Sequence, residues 1–123
     1  MLAFIMIILY FIFQGLIEGI VFNTEGKRLE GYYHLFRFIE SAALFFGFLF
    51  AATFGIKAYH IVAAFAYGLF LYEASMNLLI FGRITPTRSF MWLLFGNAYL
   101  IRPEVKDVLM FIYICVGTYF ILQ

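Results

Sequence analysis

The residues that could do chemistry in this sequence are polar side chains inside stretches that are otherwise apolar. The candidate site residues are Gln14, Glu18, Arg37, Glu40, Glu73 and Asn77. Carboxylate and amide oxygens can bind a proton, a cation or a small polar solute, and an arginine can tune the charge of nearby carboxylates. A charged side chain at membrane depth costs at least about 2.5–3.5 kcal/mol on insertion scales. Such residues therefore normally face other helices, where they pair, protonate or bind something.

Helical spacing places these residues in small groups. Glu18 lies one turn after Gln14 on the same helix face, and Asn77 lies one turn after Glu73. We expect Arg37 to partner Glu40, Glu73 or both, because Glu73 has no cation close to it in sequence. Three interpretations of this polar cluster stay open. It is a network that holds the helices together, a site for a cation, proton or polar ligand, or a set of side chains that reach singly to the interface.

The composition shows what must position these residues. The chain has 123 residues, of which 66% are hydrophobic and 12% charged, and its mean hydropathy is +1.00. A soluble domain is roughly half apolar and about a quarter charged, so the composition excludes a soluble enzyme and a disordered chain. The net charge of +1 provides no basic surface for nucleic acid. A single cysteine, Cys115, excludes a disulfide framework.

We therefore predict an all-α polytopic membrane protein, formed by one domain over residues 1–123. Four transmembrane helices would form a bundle, because a bilayer core needs about 20 apolar residues per helix. The predicted spans are residues 1–22, 35–56, 58–82 and 105–122. The uncharged stretch 89–101 is short for a span and predicts an interfacial or re-entrant segment before the fourth helix, with five spans as the alternative. Trp92 and Tyr99 would lie at headgroup level there.

The distribution of charge predicts an orientation. All seven acidic residues, and every basic residue except Lys57, fall on the side of the two longer loops. These bases are Lys27, Arg28, Arg37, Arg83, Arg88, Arg102 and Lys106. The positive-inside rule places that side in the cytoplasm and both termini on the non-cytoplasmic side. All four helices then carry a carboxylate in the cytoplasmic half.

Small residues at four-residue spacing predict close helix packing. They are Gly15 and Gly19, Ala64 and Gly68, and the series Ala43, Gly47, Ala51 and Gly55. These faces would pack within the bundle or form an oligomer interface. Four small helices bury little of one another, so we expect the lipid bilayer and further copies, or the subunits of a larger membrane complex, as partners.

The sequence offers no metal site. Di-metal helix bundles use Glu-x-x-His pairs, whereas Glu30 and His34 are four residues apart. His34 and His60 lie at opposite ends of the predicted membrane, which excludes their joint ligation of a haem iron. No cofactor and no catalytic residue is assigned.

The segment Arg37-Phe-Ile-Glu40 resembles, in part, the start of the second span in the family of membrane-associated proteins in eicosanoid and glutathione metabolism (MAPEG). Arg37 stands where that family has an asparagine. The resemblance implies a small four-span, trimeric membrane enzyme, and no catalytic residue is carried over. Our first expectation is that the polar cluster binds or conducts a cation, a proton or a small polar solute in an oligomer. The alternatives are an accessory or structural subunit and this MAPEG-like enzyme.

Overall fold

The structure is a computed structural model that describes residues 1–22, 30–87, 90–94 and 97–123. Side chains are described for residues 1–20, 34–87 and 101–123. This part of the chain contains four helices and one β-hairpin. In chain order they are α1 (Leu2–Phe22), α2 (Glu30–Phe54), α3 (Ala58–Phe81), β1 (Phe90–Leu94), β2 (Asn97–Ile101) and α4 (Pro103–Ile121).

Three of the helices, α1, α2 and α3, are long and apolar enough to cross a membrane. These three helices support the expectation of a helical membrane protein. Helix α4 is shorter, with 19 residues, and Glu104, Lys106 and Asp107 all fall in its first turns. The uncharged remainder of α4 is short for a span, so the fourth crossing is not shown.

Glycine and proline set several of the helix boundaries. Gly55 (φ 75°) and Gly82 (φ 74°) follow α2 and α3 in the left-handed region, which glycine adopts at little cost. The Gly82 N–H donates to the carbonyl of Leu78 over 3.0 Å and closes the last turn of α3. Pro103 begins α4, where its missing N–H and fixed φ are suited to a first helical position. The helix begins two residues before the predicted span, which starts at residue 105.

The segment before α4 adds a β-hairpin to a chain that is otherwise all-α. Strands β1 and β2 pair antiparallel, with Phe90 opposite Ile101 and Leu94 opposite Asn97. A glycine between two apolar runs is a hairpin signal, which the prediction of an interfacial or re-entrant segment over residues 89–101 did not use. The side chains of Trp92 and Tyr99 lie outside the described residues, as do Lys27, Arg28, Arg88 and the side chain of Glu30.

The helices pack in the spatial order α2, α1, α3, α4. Helix α1 has extensive contacts with both α2 and α3, and α4 packs against α3. The α1–α3 interface is built on small residues, as the spacing predicts. A side chain added at Gly15 would overlap the backbone carbonyl of Tyr72, and one added at Gly19 would lie 2.8 Å from Cβ of Leu79. These two glycines therefore bring the backbones of α1 and α3 together within one chain.

The series of small residues on α2 has a mixed environment. Ala43 and Gly47 are buried, and a Cβ added at Gly47 would lie 3.4 Å from Cβ of Met6 on α1. Ala51 is half-buried and Gly55 is exposed. The opposite side of α2 presents large exposed aromatic residues, namely Phe38, Phe45 and Phe48. In a bilayer this aromatic side of α2 is suited to contact with lipid or with another helix.

Candidate polar site between the helices

A buried ion pair joins α3 to α4. Nζ of Lys106 lies 3.3 Å from Oε2 of Glu73, and the two residues are 2% and 9% exposed. Arg37 was the expected partner of Glu40, Glu73 or both, and the basic partner of Glu73 in the structure is instead Lys106. One signal could have identified Lys106. It shares a helix face with the buried residues Met110 and Gly117, which follow it by four and eleven residues.

A second ion pair lies within α2. Nη1 of Arg37 is 3.5 Å from Oε2 of Glu40, as the three-residue spacing predicts. Glu40 is buried, whereas about half of the Arg37 side chain (49%) is exposed. The guanidinium therefore reaches outward while the carboxylate stays against the helices.

Glu18 has neutral hydrogen-bond partners from two helices. Nε2 of Gln14 donates to one carboxylate oxygen over 3.3 Å, and the hydroxyl of Tyr72 on α3 donates to the other. Sequence reasoning missed Tyr72, because spacing within one helix does not show which residue of another helix lies opposite. The close approach at Gly15 positions it, since Gly15 contacts the backbone of Tyr72 one turn before Glu18.

Asn77 is fully buried between α3 and α4. Its Nδ2 donates to the carbonyl of Ile84 over 3.0 Å and lies 3.9 Å from Sδ of Met110. The Asn77 amide thereby ties the segment after α3 back to the helix. Within the described part of the chain, its buried Oδ1 atom has no hydrogen-bond partner.

These groups converge on one half of the bundle. The charges of Glu73, Arg37 and Glu40 all act on the carboxylate of Glu18. The structure therefore brings the charged candidate residues of α1, α2 and α3 into one electrostatic cluster. Helix α4 adds Lys106 to it. We call Glu18, Glu40, Glu73, Arg37 and Lys106 the charge cluster. When every member is ionised, its three acids and two bases leave one negative charge.

The described side chains contain no group of three or more His, Cys, Asp or Glu residues placed to hold a metal ion. No protein-family model matches the chain, and no curated protein or solved structure is significantly similar to it. The enzyme alternative suggested by Arg37-Phe-Ile-Glu40 stays a prediction.

Proposed function

We propose that this chain is an integral membrane protein whose charge cluster binds a proton or a small cation at Glu18. One observation carries the proposal. Glu40 and Glu73 each have a basic partner within 3.5 Å, whereas the direct partners of Glu18 in the described residues are the neutral side chains of Gln14 and Tyr72. Among the three acids of the charge cluster, Glu18 is thus the one that has no ion pair with a described residue.

The charge balance supports this assignment. One uncompensated negative charge inside a membrane bundle is unfavourable, because the surroundings solvate charge poorly. Binding one proton or one monovalent cation at Glu18 brings the cluster to neutrality. Glu40 and Glu73 have less need of such a ligand, since Arg37 and Lys106 already balance them.

The partners of Glu18 are chemically suited to a reversible change. Gln14 and Tyr72 donate hydrogen bonds to the ionised carboxylate. A protonated carboxyl group becomes a donor, and the Gln14 amide also has an oxygen that accepts. Rotation of the Gln14 amide therefore allows a hydrogen bond to either the ionised or the protonated carboxyl group of Glu18, without a change in the helices.

The proposal includes the finer topology. Helix α4 crosses the membrane beside α3 as the fourth span, and the two termini and Lys57 lie on the non-cytoplasmic side. A row of four helices encloses no wide path, so conduction requires several copies of the chain around a shared axis. The buried Glu73–Lys106 pair supports the placement of α4, because it fixes the first turn of α4 against the last part of α3.

Infrared titration of the purified protein in lipid nanodiscs tests the proposal. We expect a protonated-carboxyl band, or a Na⁺-dependent shift of the carboxylate bands, that E18Q abolishes. E40Q is the matched control, because it removes an acid of the same cluster that already has a basic partner. Loss of the signal in E40Q but not in E18Q would contradict the assignment, as would a wild-type protein that gives neither signal.

A second candidate function is a structural subunit of a larger membrane assembly. Two of the three acids of the cluster are satisfied within the chain, and α2 presents the aromatic side described above. Both features are suited to a helix row held together by polar contacts and covered by other subunits. Extraction from native membranes in mild detergent separates the candidates. Stable co-purification with larger subunits supports the second, and a pure homo-oligomer contradicts it.

A further inference from the structure

We infer that the opposite end of the helix row holds a binding site for an anionic phospholipid. A cavity of about 720 Å³ opens there between the ends of the helices, within the range of roughly 300–1,000 Å³ typical of small-molecule sites. Its lining residues come from all four helices and from the turn after α2. They are Met1, Phe4, Phe54, Gly55, Ile56, Lys57, His60, Tyr67 and Ile121.

The charged side chains that line this cavity are suited to binding an anion. Lys57 and His60 are its titratable side chains apart from Tyr67, and its described lining contains no acidic residue. Lys57 also precedes the first turn of α3 without a side-chain cap. The first backbone N–H groups of α3 therefore point toward the same end, where a helix favours negative charge.

The remaining walls are suited to a hydrocarbon chain. Phe4, Ile56 and Ile121 contribute apolar surface next to the two basic residues. The ring of Tyr67 is held in place, because its hydroxyl is hydrogen-bonded to Oγ1 of Thr118 at 3.0 Å and its ring meets Phe4 edge-on at 6.4 Å. The wall is thus formed by contacts within the protein before any ligand binds.

A free phosphate would use the basic residues but leave the apolar walls without a partner. A neutral lipid would fill the walls but leave the basic residues without an anion. An anionic phospholipid supplies both, with its phosphate beside Lys57 and His60 and part of one acyl chain along Phe4 and Ile121. The turn after α2 lies at the end of two membrane-length helices, the depth at which lipid headgroups lie.

Native mass spectrometry of delipidated protein, titrated with phosphatidylglycerol or with phosphatidylcholine of the same chains, tests the inference. We expect tighter binding of phosphatidylglycerol. K57Q should weaken it about fivefold, the size expected for one basic residue near an anionic headgroup. H60Q should weaken it less, because the glutamine amide can still donate a hydrogen bond to phosphate. R102Q is the matched control, since it removes an exposed base at the start of α4.

Two further measurements keep the outcome decisive. I121W places a larger side chain in the cavity and should weaken both lipids in a protein whose melting temperature stays near that of the wild type. Water-soluble glycerol phosphate should displace phosphatidylglycerol only weakly. Equal binding of the two lipids, an R102Q effect as large as that of K57Q, or efficient displacement by glycerol phosphate would each overturn the inference.

Discussion

The ammonium group of Lys106 lies 3.3 Å from the carboxylate of Glu73, and both residues are almost out of contact with solvent. This ion pair is the main polar link between α4 and α3 in the described part of the chain. Removing one partner of a buried pair leaves the other charge unpaired, which typically costs about 3–5 kcal/mol.

We therefore expect K106M and E73Q each to lower the melting temperature in detergent strongly. The double variant E73Q/K106M should be less destabilised than the sum of the two single changes, because it leaves no unpaired charge. Thermal unfolding of the four proteins gives the double-mutant cycle. Additive losses would show that the two side chains do not interact.

Gly15 is expected to tolerate no side chain. G15A places a methyl group on the backbone carbonyl of Tyr72, so α1 and α3 must separate, at a cost of about 1–3 kcal/mol. G47A is the matched control on α2, where the added Cβ meets only Cβ of Met6 at 3.4 Å. Chemical unfolding in detergent should show a loss for G15A and little change for G47A. Equal effects would contradict the α1–α3 packing.

A negative charge at position 77 should be poorly tolerated at high pH. N77D puts a second carboxylate one turn from Glu73 in a fully buried position, where the protonated form is favoured over the ionised one. The unfolded state ionises more readily, so the variant should lose stability as pH rises from about 5 to about 8. N77L, which carries no charge, should show a loss that does not vary with pH in this way. A loss for N77D that is independent of pH would contradict the burial of this site.

The proposed orientation predicts which side of the membrane each turn faces. In a C115S background, K57C should react with an impermeant thiol reagent from the non-cytoplasmic side, and R83C should react from the cytoplasmic side. Both positions are exposed at helix ends, so access within the folded chain does not limit labelling. Labelling of both residues from one side would show that α3 does not cross the membrane.

The predictable parts of the structure are those that depend on one helix at a time. Long uncharged runs predict α1, α2 and α3, and a three-residue spacing predicts the Arg37–Glu40 pair. The partners Lys106 and Tyr72 were missed because they depend on which helices are neighbours and how each is rotated. The hairpin was missed for a different reason. Comparing a segment with the thickness of a membrane uses only the length and charge of that segment. Strand pairing depends instead on the turn between the two strands.

The ion pair between α3 and α4 also constrains how the chain is made. Glu73 is synthesised 33 residues before Lys106, so α3 reaches the membrane before α4, which carries its balancing charge. Until α4 arrives, that carboxylate has to be protonated, held at the protein-conducting channel or kept at the membrane surface. Placing the ionised group in lipid alone would cost several kcal/mol. Insertion of the third helix is therefore completed by the fourth, and nascent chains that stop before Lys106 should remain with the insertion machinery.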